Sequence, residues 1–466
     1  MADWEEVFEA NRKNLVRENA AWCQPLSWKL FPIEQKISFP FAGIGGPERA
    51  LIEGGMPFRS VNVIEIRKEC MSVLNSLRLE GTKHVEPHDA RHVPDEWLED
   101  SDGLFGTAPC QSFSKLGKNE GFAADNGMLF YEQLRMVKVL SRRKRPLRWV
   151  VMENVESILG YLEPIQNWWS ENMPHWTELQ TISVDCADCN LPHRRRRVFL
   201  VVFDSAVLMH AGGAKISDMK VRKMPRVDLE DWLDESGTSA LVRGGLSRAM
   251  MINAEGYTKR MEERGVKHLC VVDVSRSPTG GFNNEPAINL SQPLTTKNAY
   301  LYIIRPPEVE SSVVKSPGRL MFLEERARLC GVLMNSVRGC MSPRQLMVSF
   351  GNMVPVDMAG LVLEAVMDVF IVFLKATVPS PRTLAPRACS SWKQASSQKR
   401  PVKRGAWFNF SMLETYNSHL TMAAVQEEWQ RRVDNAEDVL NVNGVVWIKG
   451  WENRKIVRLS KFALKA

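Results

Sequence analysis

The sequence predicts an α/β fold: a doubly wound, mostly parallel sheet followed by a smaller domain. Three observations carry that prediction. Apolar strand patterns alternate with helical ones from residue 36 to 203, the order that builds a parallel sheet covered on both faces. The first strand runs into the turn Gly43-Ile44-Gly45-Gly46, and an acid, Glu65, ends the second strand about 20 residues later. Residues 204–290 then lose the alternation; they are mixed and polar, with Gly244-Gly245 and Gly280-Gly281 and no clear period.

Taken in order, residues 1–35 read as a polar helical extension with Trp4, Phe8, Leu15 and Trp22 as its apolar positions. After the glycine turn, Pro47 suits the first position of a helix, where its missing N–H costs nothing. Glycines in such a turn let the backbone approach a ligand, with helix N–H groups aimed at it. A helix over Lys68 to Leu79 and a third short strand ending near His88-Asp89 follow. Gly103 to Gly106 is an apolar run leading into Thr107-Ala108-Pro109-Cys110-Gln111-Ser112-Phe113-Ser114-Lys115-Leu116-Gly117. Proline fixes the backbone directly before the cysteine, and a polar, glycine-bounded loop comes after it. This setting suits a nucleophile, but taken alone it better suits a small buried thiol, since free cysteine is among the most buried residue types.

A helix over Met128 to Leu140 is closed by Arg142-Arg143-Lys144-Arg145, cations favoured at a helix C-terminus and explained by a solvated face. Arg148 to Val155 is a buried strand ending in Glu153 and Asn154, and such strand ends line the ligand crevice of open α/β sheets. Leu179 to Val184 is another strand. Then His193-Arg194-Arg195-Arg196-Arg197 leads into an apolar strand ending at Phe203. Alternation puts Arg195 and Arg197 on one face, and Arg194 and Arg196 on the other. Ala299 to Ile304 reads as a strand, Leu323 to Cys330 as a helix, and Gly351 to Pro355 as a turn before a long helix to Leu374. The expected organisation is an N-terminal extension (1–35), a main α/β domain (36–203), a small domain (204–290), a return to the main domain (291–375) and a basic extension (376–466), with Pro379, Pro381 and Pro386 marking the last boundary.

Composition narrows the function classes. No basic and apolar leader opens the chain. Leu361 to Leu374 is interrupted by Glu364 and Asp368 and is too short to span a bilayer, so no membrane partner is expected. The nine scattered cysteines point to free thiols in a reducing compartment. The lone pair Cys186 and Cys189 has no second pair to complete a zinc site, so no metal is expected. Residues 375–466 carry 16 Lys and Arg against 7 Asp and Glu, whereas the rest of the chain carries 45 against 47. A basic tail suits a polyanion, and solubility would also explain it.

The ordered set Phe41-Ala42-Gly43-Ile44-Gly45-Gly46, Pro109-Cys110-Gln111, Glu153-Asn154-Val155, Arg195-x-Arg197-Val198, Arg319 to Gly331 with Glu325 inside it, and Gly351-Asn352-x-Val354-Pro355 resembles the cytosine-C5 DNA methyltransferase family. The resemblance covers roughly 36–375. It implies a sheet of the S-adenosylmethionine-dependent methyltransferase type, S-adenosylmethionine as methyl donor, and double-stranded DNA as substrate. Cys110 would attack C6 of a flipped-out cytosine. Glu153 would donate a proton at N3, which needs a raised pKa. Arg197, with Arg195 beside it, would hold the base and stabilise charge at O2. The donor would lie against Phe41 and the turn Gly43, Gly45 and Gly46, with Glu65 taking the ribose hydroxyls, Asp89 the adenine amine, and Asn352 and Val354 completing the pocket. Gln111, Ser114, Leu116 and Gly117 would close over the base, and Asn154 would brace that loop or the pocket. Residues 204–290 would recognise the target.

Three positions depart from the family pattern. Phe39 stands where an acid is common, His193 where glutamine is usual, and Met353 where serine is usual. Relatives acting on tRNA typically carry Cys-Phe-Thr in the second half, and that tripeptide does not occur here. A catalytically idle DNA-binding scaffold is the other reading, though such a copy would be expected to have lost Cys110, Glu153 or the glycine turn. Lys399 to Arg404 resembles a nuclear localisation signal, giving nucleus in a eukaryote and cytoplasm in a bacterium, and a solvated linker explains the run at least as well. Protein partners are not specified.

Overall fold

The computed structural model describes residues 34–77, 87–113, 121–123, 125–210, 219, 221–224, 226–234, 245–279, 285–315 and 317–377, with three short strands between 407 and 449. The expected helices of 1–33, Ser114, Leu116, Gly117 and the basic run Lys399 to Arg404 lie outside the described residues. The chain divides into two compact units, 1–378 and 379–466.

In the first unit, six strands form one sheet: β1 (Gln35–Pro40), β2 (Phe58–Ile64), β3 (Gly103–Gly106), β4 (Trp149–Asn154), β5 (Gln180–Asp185) and β6 (Arg196–Phe203). Their spatial order is β2-β1-β3-β4-β6-β5. The pairs β1–β2, β1–β3 and β3–β4 are parallel, whereas β6 runs antiparallel to both β4 and β5. Both faces are apolar, because successive side chains on a strand alternate. Trp149, Val151, Phe199 and Val201 fill one core, and Val150, Met152, Val198 and Leu200 fill the other. Helices α1 (Gly46–Gly54), α2 (Lys68–Ser76) and the long α9 (Val356–Thr377) contribute to the first core. Helices α3 (Asp125–Ser141) and α4 (Leu162–Asn172) contribute to the second. No described helix is long and apolar enough to cross a membrane.

Helix α1 starts at Gly46, with Pro47 in its first turn and Gly45 as a left-handed N-cap (φ 77°). A side chain on Gly46 would fall on the carbonyl oxygen of Val354. This close approach lets the segment before α9 return beside the glycine turn. Gly46→Ala should therefore cost about 1–3 kcal/mol by overpacking, measured as a lowered urea midpoint. An unchanged midpoint would show that the return segment yields freely.

The basic run after α3 is more than a solvated face. Arg145 forks onto Asp102 through Nε and Nη2, both at 2.6 Å, and Asp102 in turn accepts the Lys36 N–H at 2.8 Å. The expected third strand falls mostly on residues 78–86, outside the described residues; His88 and Asp89 lead into a 3₁₀ turn at Ala90–His92.

Residues 204–290 contain a helix that the sequence pattern hid. After α5 (Ser205–His210) comes α6 (Arg248–Glu263), capped by the Ser247 hydroxyl accepting the Met250 N–H. It buries only Ala254, Tyr257 and Met261. Three apolar contacts in 16 residues, with Gly256 among them, make a weak periodic signal. Helix α6 covers a second sheet of antiparallel strands: β7 (Cys270–Asp273), β8 (Ala287–Ile288), β9 (Leu301–Ile304) and β10 (Gly318–Leu320), in the order β10-β9-β7-β8. This sheet takes strands from both sides of residue 290, so the small domain continues past the boundary expected from composition. Then α7 (Leu323–Arg328) and α8 (Pro343–Asn352) lead to α9. Gly351 and Asn352 thus close a helix rather than form a turn; the break is Met353 to Pro355.

The second unit, taken by itself, contains an antiparallel sheet of β11 (Trp407–Asn409), β12 (Val439–Val442) and β13 (Val445–Lys449), with β13 in the middle.

Candidate active site

The site is built at the C-terminal ends of β1 to β4. At β1, Phe41 adopts a left-handed backbone (φ 61°), a conformation unfavourable for any residue with a Cβ. Gly43 (φ 56°) and Gly45 follow in the same region. Open space lies around the position a Gly43 side chain would take, with nothing within 4 Å. Glu65, just past β2, turns its carboxylate toward this turn: Oε2 accepts the Gly43 N–H at 2.8 Å and Oε1 accepts the Arg67 N–H at 2.9 Å. The Glu65 carbonyl accepts the His88 N–H at 3.0 Å, which brings Asp89 to the same rim. The Asp89 carboxylate is held by Arg91 at 2.5 Å, and this pairing lowers its pKa. Asn352 is exposed at the end of α8, while Val354 is buried with its carbonyl over Gly46.

These residues fit S-adenosylmethionine. An ordered carboxylate able to take two hydroxyls stands beside a glycine whose missing side chain leaves room for a ligand. At Gly46 the space a side chain would take is filled by the Val354 carbonyl, so the glycine is needed there for close packing.

Cys110 lies three residues beyond Thr107, after β3, and is half-buried. Glu153 is the fifth residue of β4, paired across from Phe199. Because β6 runs antiparallel, its beginning lies at the end of β4. Arg197 therefore meets Glu153, with Nε 2.9 Å from Oε1. Burial raises the Glu153 pKa, and Arg197 and Arg195 partly offset it. Burial and the charge of Glu153 raise the Cys110 thiol, and Arg197 and Arg195 pull it back. The three groups named from the sequence thus share one electrostatic environment. Burial that favours the neutral form of a carboxyl suits it to donating a proton.

Arg195 is corrected. It shares the buried face with Arg197, and Arg194 and Arg196 are exposed, in keeping with the alternation. Its guanidinium, however, donates to the carbonyls of Leu294 at 2.8 Å, Gly351 at 3.0 Å and Met353 at 2.9 Å. It is a strut between β6 and the break after α8, acting on the site through its charge. His193 completes this joint. Its Nε2 accepts the Leu294 N–H at 3.0 Å, so the backbone of Leu294 is held at both its N–H and its carbonyl.

Burial, then the charge of Arg195, pushes the His193 pKa down to about 3. The folded protein keeps this ring neutral while the unfolded chain protonates it near 6.5, so stability is present above 6.5 and is lost as pH falls toward 3. Between pH 6.5 and 4.5 the loss from this group is on the order of 2 kcal/mol. His193→Gln, which can still accept from Leu294, should flatten that part of the urea-stability profile. An unchanged slope would remove His193 from the account.

The base of the Cys110 loop is anchored by groups that sequence reasoning missed. The Gly121 N–H donates to the Ser112 carbonyl at 3.0 Å, and the Ser157 hydroxyl donates to the Phe113 carbonyl. Phe113 packs edge-on against Phe122 (5.0 Å) and Tyr161 (5.2 Å). Their only sequence signal is the aromatic content on either side of the loop. Gln111 is exposed beside Cys110. Asn154 is buried, its Oδ1 accepting the Val155 N–H at 2.9 Å. Ile66, next to Glu65, is 61% exposed and offers an apolar surface at the donor rim. Cys186 and Cys189 sit buried in one 3₁₀ turn, and no group able to hold a metal occurs among the described residues.

The sequence profile described as C-5 cytosine-specific DNA methylase matches residues 37–368. The chain is 34% identical over 170 residues to type II methyltransferase M1.ScrFI of Lactococcus lactis subsp. cremoris, covering 35% of this chain and 40% of that protein. It is 30% identical over 120 residues to type II methyltransferase M.HhaI of Haemophilus parahaemolyticus, covering 25% of this chain and 34% of that protein. These matches span well under half the length of either relative. Among solved structures, the Entamoeba histolytica methyltransferase EhMeth is 12% identical, with a TM-score of 0.49 over 72% of this chain and 98% of that one. With the profile matched over most of its length, the chain belongs to the C-5 cytosine-specific DNA methylase family.

Proposed function

We propose that this protein transfers a methyl group to C5 of cytosine in double-stranded DNA, with Cys110 as nucleophile. The observation that carries the reading is the meeting of Cys110, just beyond β3, with Glu153 of β4 and Arg197 of β6 at one end of the sheet. Attack of the Cys110 thiolate at C6 builds charge toward N3 and O2. Burial favours the neutral form of Glu153, which suits it to donate at N3, and the fixed charge of Arg197 is suited to O2. Removal of the C5 proton then lets the thiol leave, restoring the ring with its new substituent. The reacting base must leave the duplex to reach a half-buried thiol. S-adenosylmethionine supplies the methyl group when bound. Glu65, Gly43 and Phe41 would hold it, with Asp89 reaching the adenine once its exposed Arg91 partner moves aside. The small antiparallel sheet with α6 is read as the target-recognition part.

The test is covalent trapping. Duplex DNA containing 5-fluorocytosine, incubated with protein and S-adenosylmethionine, should yield a denaturant-stable complex that Cys110→Ala does not form. Methyl transfer to tRNA in place of duplex DNA would redirect the substrate. No transfer and no complex with either would favour the idle scaffold.

A further inference from the structure

We infer that Thr107 is a positioning residue that holds the donor-binding turn in its working shape and couples it to the nucleophile strand. The inference rests on the reading of Phe41 as a wall of the donor site.

The left-handed backbone of Phe41 must be held by its surroundings, because a residue with a Cβ disfavours it. Two groups hold it. The Ala42 N–H donates to the Ile64 carbonyl at 3.1 Å, fixing the residue after it to β2. The Thr107 hydroxyl donates to the Phe41 carbonyl at 2.7 Å, fixing the strained peptide itself. The Thr107 N–H also donates to the Pro40 carbonyl at 3.3 Å, so one residue grips the peptides on both sides of Phe41. Thr107 lies between β3 and Pro109-Cys110. The grip therefore joins the strand end carrying the nucleophile to the turn expected to carry the methyl donor. Reaction needs these two groups in register, and misplacement by about 1 Å is costly in rate. The β1–β3 ladder pairs Ile37 with Gly103 and Ser38 with Leu104. Beyond them, the Thr107 bonds extend the tie to the end of the sheet.

The test uses the full chain and measures affinity for S-adenosylmethionine by calorimetry, alongside turnover on duplex DNA. Thr107→Val keeps shape and removes the donor. It should weaken donor affinity about tenfold and lower turnover at saturating donor, with little change in melting temperature. Thr107→Ser keeps the hydroxyl and should restore both. Glycine adopts a left-handed backbone without help, so adding Thr107→Val to Phe41→Gly should weaken donor affinity no further, whereas adding it to Phe41→Ala should. A general loosening of the fold would weaken both backgrounds alike and overturn the inference, as would Thr107→Val affinity within twofold of wild type. If Phe41→Ala itself leaves donor affinity unchanged, the reading of Phe41 fails, independently of what Thr107 does.

Discussion

Cys110→Ala should lower methyl transfer to duplex DNA by roughly 10⁴-fold or more, the scale of losing a covalent nucleophile. The fold should not suffer. Cys110 is half-buried, and its structural bond is made by the backbone, whose carbonyl accepts the Phe113 N–H at 3.1 Å. Melting temperature and donor affinity should therefore match wild type, which separates chemistry from stability. The wild-type rate should also fall toward acid pH. Burial and Glu153 hold the thiol pKa above its ordinary value, so thiolate becomes scarcer as pH drops. Tritium transfer from labelled donor to DNA measures the first effect. Substantial residual transfer by the alanine variant would displace Cys110 from the mechanism.

The second large effect separates two arginines two residues apart. Arg195→Ala should cost about 3–5 kcal/mol of stability. It leaves the buried carbonyls of Leu294, Gly351 and Met353 without their donor and opens the joint between β6 and α8. Arg197→Ala should lower the urea midpoint less than Arg195→Ala, because the Glu153 carboxyl left without its partner can take up a proton. It should lower turnover by roughly 10²–10³-fold, the scale of losing one charge-stabilising donor. Without Arg197, burial acts on Glu153 with less opposition, so its pKa should rise further. Urea denaturation and turnover on the same two proteins decide the matter. An Arg195→Ala protein as stable as wild type would refute the strut.

Much of the site was legible because its determinants are local. A glycine turn between a strand and a helix, an acid at a strand end, and proline before cysteine each follow from backbone chemistry within a few residues. The alternation of apolar residues likewise determined a sheet covered on both faces, and the alternation of Arg194 to Arg197 determined which pair would be buried. What escaped the sequence depends on contacts between distant segments. The direction of β6 is set by pairing with β4 and β5, and a strand's pattern reads the same in either direction. That direction brings Arg197 to Glu153. The work of Arg195 is set by carbonyls 99 to 158 residues away. The need for glycine at Gly46 is set by Val354, whose carbonyl returns from more than 300 residues away to fill the space beside it. Sequence by itself determined which chemical groups stand at the strand ends. Only the tertiary structure decided which of them face the site and which hold it together, because burial and hydrogen-bond partners are properties of the packed chain.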